Sequence, residues 1–438
     1  MTNRGRWGAL LTAVACVAMS GVARADDATP ASLGWPTTTR SVEIRRQTKV
    51  LADAGTGTRL GTIGRGAHAA WRRIAMTRDR CKAWVELAPR GWVCAKDLLP
   101  KDDPIAVAPP TAAAVAVAQA TPAVEGTRYA DVRKDGADAF ADAASIRAGT
   151  PSSHVPDKTY VAISPNARSI TVNGQRYVWT DQGYISRDRL AWQSPSSFAG
   201  IDLAAQPPPA WPFAWVVPHA HGAKVLVRKT AARRGEKVRE LATRELVPVL
   251  ESTRDFARIG VDEWVERRDL RVAALAARPT GVIDGERWID VDLDQQTLVA
   301  YDGDTPVFAT LVSTGRVKWD TPTGIYRLDG KAAKVRMQAP VGAAEAWNVA
   351  EVPYSMRFRK NFALHGTYWH DGFGRRRSHG CVNLSPHDAH QLYDWTEPSV
   401  PDGWTEVEGD PRGTPVRVRS TYAPDPPWRD FDGKIIEP

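Results

Sequence analysis

Cysteine is scarce in this 438-residue chain, four in all, and long apolar runs are scarcer still. So few thiols exclude a disulfide-dense scaffold. They also give no zinc framework: His365, His370, His379, Cys381 and His387 crowd into one stretch, but no Cys-x-x-Cys or His-Glu-x-x-His spacing is present. Beyond the first two dozen residues no segment offers the roughly 18 apolar residues that span a bilayer. The Ala/Val tract from Ile105 to Ala120 is broken by Pro109 and Pro110, so no transmembrane segment is expected. A dominant charge is also missing. Lys and Arg number 58 against 50 Asp and Glu, and no basic run exceeds Arg375-Arg376-Arg377. That pattern points away from nucleic acid and toward mild affinity for anionic surfaces such as a cell wall.

What is present begins with an export signal. Arg4 and Arg6 form a basic start, Trp7 to Met19 an apolar core, and Ala23-Arg24-Ala25 a small-residue cleavage site before Asp26-Asp27. Residues 1–25 are therefore expected to be removed, placing the mature chain in the periplasm or cell envelope. Cys16 leaves with them. Cys81 and Cys94 flank a short Trp-containing segment and can pair across a hairpin in an oxidising compartment. Cys381 is left over, among polar residues and glycine rather than in an apolar core, which favours use over burial.

The chain reads as mainly β. Residues 26–40 look like a disordered lead-in and 101–127 like an Ala/Pro-rich linker. Between them, residues 41–100 alternate in short glycine-bounded runs, as a small β module does. Its Trp92-Val93 with Asp97-Leu98 recurs at identical spacing as Trp264-Val265 with Asp269-Leu270, which marks a second module over 221–275. Both copies resemble bacterial SH3-like wall-associated modules, and that likeness implies small β-barrels. Residues 128–220, with a hairpin signal at Asn173-Gly174, are β-rich and of no legible role. From Gly285 the alternation sharpens into a β-sheet domain. One helix follows the cysteine, with Ser385 as cap, Pro386 in the first turn and Asp388 completing an S-x-x-D box. Residues 421–438 remain as a tail.

The chemistry concentrates in Ser378-His379-Gly380-Cys381-Val382-Asn383, with His365-Gly366-Thr367 upstream. A thiol needs an imidazole within reach to become a nucleophile, and the imidazole needs a third group to fix its tautomer. His379 is too close along one strand for a good approach angle, so His365 is the expected base, oriented by the Gly366 carbonyl. The main-chain N–H groups of Gly380 and Cys381 are expected to face an oxyanion. Arg375-Arg376-Arg377 reads either as a device that lowers the thiol pKa and attracts carboxylates, with Arg376 as a binding residue, or as a solvated loop.

These motifs, together with Thr321-Pro322-Thr323-Gly324, Val352-Pro353-Tyr354, Asp388-Ala389, Leu392-Tyr393 and Gly413-Thr414-Pro415-Val416, resemble the L,D-transpeptidase (YkuD-type) catalytic domain across residues 285–420. The resemblance implies a β-sandwich with one or two short helices. Cys381 would be the nucleophile, His365 the base and then acid, and Gly366 the orienting carbonyl. His379, Gly380 and Ser378 would shape the oxyanion region, Asn383 would hold the loop, and Tyr354 would lie in the substrate region. The reaction would release the terminal D-Ala of a peptidoglycan stem tetrapeptide and pass the acyl group to an amine on another stem or on a wall-attached protein. Carbapenem β-lactams would be inhibitors, and no metal or organic cofactor is implied. Two alternatives remain: a carboxypeptidase or amidase using the same acyl-enzyme, and a non-catalytic wall-binding scaffold.

Overall fold

The computed structural model describes residues 28–105 and 126–438, apart from 221 and 344. The expected signal peptide and most of the linker lie outside the described residues. Strands dominate, and two α-helices occur among the described residues, Ala143–Ala148 and Pro386–Trp395.

The first module runs from strand Ser41–Ile44 to strand Leu98–Lys101, which pair with each other. Its alternation buries Val42, Ile44, Val50, Ile63, Val85 and Val93 in one core. Cys81 and Cys94 are joined, their Cα atoms 5.8 Å apart. The lead-in is not free chain: over its described part Leu33 and Trp35 pack against this core, and Thr38 Oγ1 donates to Asp102 at 2.8 Å.

Each copy of the W-V-x-x-x-D-L repeat folds as strand, 3-10 turn, strand: Trp92–Cys94 to Leu98–Lys101, and Glu263–Glu266 to Leu270–Ala273. The aspartate is what the turn is built on. Buried Asp97 accepts from Arg46 Nε at 2.7 Å and Thr48 Oγ1 at 3.1 Å, and buried Asp269 accepts from His219 through its main-chain N–H at 2.6 Å and Nδ1 at 2.8 Å.

A third copy lies in the region of no legible role. Gly183–Ser186, the turn Arg187–Arg189 and Leu190–Gln193 repeat the arrangement, and the turn carbonyl again accepts from the chain leaving the first strand. The three bonds are Arg45 N–H to Asp97, Arg133 N–H to Arg189 and Val217 N–H to Asp269, at 2.8–2.9 Å. Here Tyr184-Ile185 replaces Trp-Val, and Arg189 replaces the aspartate, its guanidinium donating to Gly136 O.

Closed barrels are not formed among the described strands. The first module is an open path because its strand Arg59–Ile63 gives its edge to Trp404–Glu408, with Gly61 opposite Val407. The later two modules are each a pair of packed sheets.

The C-terminal part is a sandwich. One face is the six-stranded sheet Ile201–Asp202, Thr305–Leu311, Thr297–Asp302, Arg287–Asp292, Pro415–Arg419, Gly324–Arg327. The other is built on the long hairpin Gly330–Gln338 and Asn348–Arg359, followed by Phe362–Gly366 and Val382–Leu384. Ile289, Leu298, Phe308, Phe358, Leu364 and Leu392 fill the space between them with the helix. Ser385 caps that helix by accepting the Asp388 N–H at 3.1 Å. The Asp388 carboxylate leaves the expected box and accepts from Thr310 Oγ1 and Gly200 N–H instead, tying the helix to the six-stranded sheet. The tail packs as well, with Trp428 Nε1 donating to Thr280 O at 2.7 Å.

The hairpin is flanked on both sides. Strand Thr159–Ile163 of the middle module pairs parallel to Asn348–Arg359, while Trp404–Glu408 bridges Gly330–Gln338 to the first module. A Cβ on Gly61 would meet Glu406 O at 2.1 Å and the Trp404 ring at 2.9 Å, so only glycine allows this seam. Gly61→Ala is expected to cost about 1–3 kcal/mol and to speed amide exchange across 404–408. Hydrogen exchange that leaves that strand as protected as before would refute the seam.

Candidate active site

Strands Phe362–Gly366 and Val382–Leu384 run parallel, with Leu364 opposite Val382 and His365 opposite Asn383. Side chains alternate along a strand, so Leu364 and Val382 go to the core while His365, Asn383 and Cys381 share the other face. His365 and Cys381 line one cavity of about 800 Å³.

The cysteine sits on a tightly held turn. Gly380 has φ +119, and a Cβ there would lie 2.6 Å from the Phe362 ring. Thr321 Oγ1 donates to Gly380 O at 2.7 Å and accepts the Gly315 N–H at 2.9 Å, which gives the Thr-Pro-Thr-Gly motif its purpose. Ser378 Oγ accepts the Gly380 N–H at 3.0 Å and donates to Cys381 O at 2.5 Å. Gly380 N–H is therefore not free for an oxyanion, contrary to expectation, because the hydroxyl two residues earlier reaches it first.

His365 is buried, and its Nδ1–H donates to Gly366 O at 3.0 Å, which leaves Nε2 as the basic nitrogen. Burial pulls its pKa down to about 4, against the opposing pull of the Gly366 carbonyl. Dense surroundings push the Cys381 thiol up to about 11, partly offset by the Ala363 N–H. Both shifts favour the uncharged forms, a thiol beside a neutral imidazole.

The other expected residues separate. The His379 ring stacks on Trp347 at 5.4 Å and meets Trp319 edge-on at 5.0 Å. Its Nε2 lies 2.8 Å from the Arg316 guanidinium and 3.4 Å from Glu345, so it serves the cavity wall. The Asn383 amide faces His370 Nε2 at 3.0 Å, while His370 Nδ1 accepts the Gly372 N–H at 3.2 Å, so Asn383 contacts the loop at His370.

Tyr354 is misplaced by the expectation. At φ +54 it stacks on His390 of the helix at 4.4 Å and does not line the cavity. Arg376 is misplaced too: it donates to Leu293 O at 3.1 Å and Gly315 O at 3.3 Å, bracing the loop, while the next residue, Arg377, lines the cavity. Sequence reasoning missed Lys158 and Glu345 in the wall, along with Tyr160 and three tryptophans, Trp319, Trp347 and Trp369, and it missed Arg316, which pairs with Glu345. No metal-ligating group of three His, Cys, Asp or Glu side chains occurs among the described residues.

Residues 286–418 match the family model of the L,D-transpeptidase catalytic domain, YkuD. Among solved structures the chain is similar to L,D-transpeptidase 3 from Mycobacterium tuberculosis in complex with a faropenem-derived adduct, at 20% identity over 36% of this chain and 72% of that one, TM-score 0.25. It is also similar to the catalytic domain of the E. faecium L,D-transpeptidase, at 22% identity over 31% of this chain and 98% of that one, TM-score 0.25. A third likeness is to the L,D-transpeptidase (Yku) from Stackebrandtia nassauensis, at 25% identity over 32% of this chain and 58% of that one, TM-score 0.23. A comparison with curated proteins gave no match.

The buried histidines make stability depend on pH. Burial holds His365 at about 4 and His370 at about 3, both below the ordinary 6.5. The unfolded chain takes up protons that the fold refuses, so this stabilisation is complete above pH 6.5 and is lost as pH falls through about 4 for His365 and toward about 3 for His370. Urea midpoints should drop over that window, and less steeply in His365→Gln. Equal slopes in both proteins would contradict the assignment.

Proposed function

We propose that this chain is an exported peptidoglycan L,D-transpeptidase acting through a Cys381 acyl-enzyme. The observation that carries the reading is the parallel strand pair that brings His365 and Cys381 to one face and one cavity, with the basic nitrogen of His365 left free by Gly366. The family match over 286–418 supports it. The Cys81–Cys94 bond supports an oxidising compartment, in keeping with export.

Burial pushes the thiol up and the imidazole down, and both shifts disfavour a resting ion pair. In this reading proton transfer accompanies attack. His365 Nε2 takes the thiol proton as Sγ bonds to the carbonyl carbon of the third stem residue. The Cys381 N–H is the donor assigned to the oxyanion, since Ser378 holds that of Gly380. The imidazolium then protonates the leaving nitrogen, D-Ala departs, and a thioester remains. An acceptor amine attacks the thioester carbonyl and gives a proton to His365, the C–S bond breaks, and the sulfur recovers that proton. A carbapenem would acylate the same sulfur by opening its lactam ring.

Incubation with a stem tetrapeptide and an amine acceptor should release D-Ala and yield cross-linked product, with an acyl adduct on Cys381 by intact-protein mass spectrometry. Cys381→Ala should abolish both, and His365→Ala should slow acylation by about 10²–10⁴-fold. D-Ala release without cross-linking would make the protein a carboxypeptidase. Wall binding without any adduct would make it a scaffold.

A further inference from the structure

The cavity that Cys381 opens on contains an acid of the protein itself, gripped as a ligand would be. The Glu345 carboxylate pairs with the Arg316 guanidinium, lies 3.4 Å from His379 Nε2, and lies 3.5 Å from Lys158 Nζ. Lys158, Glu345 and His379 line the cavity, Arg316 pairs with the Glu345 carboxylate there, and the His379 ring is fixed between Trp347 and Trp319. Lys158 does not belong to the catalytic domain. It sits at the start of the middle module's strand Thr159–Ile163, whose Thr159 and Tyr160 pair with Asn348 and Val349 of the long hairpin.

That attachment is firm. The Asn348 N–H donates to Lys158 O at 3.2 Å, and Arg336 of the hairpin pairs with Asp181 of the module, which also accepts the Ala162 N–H at 2.8 Å. Tyr160 packs on Trp369 at 5.8 Å, and Trp369 stacks on the His365 ring at 5.9 Å. The middle module thus forms a wall of the cavity, one ring away from the base.

We propose that this wall is a substrate subsite: Lys158 and Arg316 receive a free carboxylate of the bound stem peptide, and Glu345 occupies their place in the unliganded chain. The inference rests on the transpeptidase reading. Two permanent cations face one protein acid in a space large enough for a peptide, so a ligand carboxylate restores the same charge balance when it replaces Glu345. The Lys158, Arg316 and Glu345 side chains all remain about a third or more exposed, at 58%, 39% and 32%, and ion pairs that wet contribute little stability, so exchange is cheap. The middle module then contributes to substrate selection rather than acting as a spacer.

The test is equilibrium binding of the stem tetrapeptide to the Cys381→Ala chain by calorimetry, with peptides whose carboxylates are amidated one at a time. Lys158→Ala should weaken the unmodified peptide about tenfold and leave one of the amidated peptides unaffected, while Lys158→Arg keeps most of the affinity and Glu345→Gln tightens it. A Lys158→Ala variant that weakens every peptide equally, or none, overturns the subsite. Acylation of the wild-type chain separates the two claims. If Cys381 is acylated but binding ignores Lys158, only the subsite falls. If Cys381 is never acylated and no peptide binds, both fall.

Discussion

The parallel pairing of Phe362–Gly366 with Val382–Leu384 is the constraint on which the rest depends. Two short strands in one register send Leu364 and Val382 into the core and, by the same alternation, His365 and Cys381 into the cavity. A slip of one residue would exchange those faces, burying the chemistry and exposing the leucine. The sandwich core locks the register, and the turn before the cysteine is pinned by Thr321 and Ser378.

Around that pair, each layer limits the freedom of the next. The helix after the cysteine is tied to the far sheet through Asp388, which fixes the strand leading into it. The long hairpin that carries much of the cavity wall is gripped by the first module through Trp404–Glu408 and by the middle module through Thr159 and Tyr160. Burial then sets the electrostatics, since the environment that holds imidazole and thiol in place also lowers the one pKa and raises the other.

Much of this was legible in the sequence because it is local. The Cys81–Cys94 proximity and the Ser385 cap each follow from a few adjacent residues. What was not legible depends on competition or distance. Gly380 N–H was expected to face substrate, but the Ser378 hydroxyl binds it. Arg376 and Arg377 are equivalent as letters, and only the loop's contacts turn one inward. Tyr354 itself has a left-handed backbone conformation inside a strand, which a strand pattern does not reveal. The middle module hid because Arg189 replaces the aspartate that marks the other copies. Lys158 and Glu345 are 187 residues apart, and no spacing rule joins them.

The central claim is that Cys381 and His365, the proposed nucleophile and base, rest neutral and ionise only as the substrate is attacked. Its most direct measurement is the titration of the Cys381 thiolate by ultraviolet absorbance, in the wild-type chain and in His365→Gln, with Cys381→Ala as the blank. The account predicts no thiolate at neutral pH, a midpoint near 11, and little change on removing His365. A thiolate already present at neutral pH, lost when His365 is replaced, would show a preformed ion pair and contradict it.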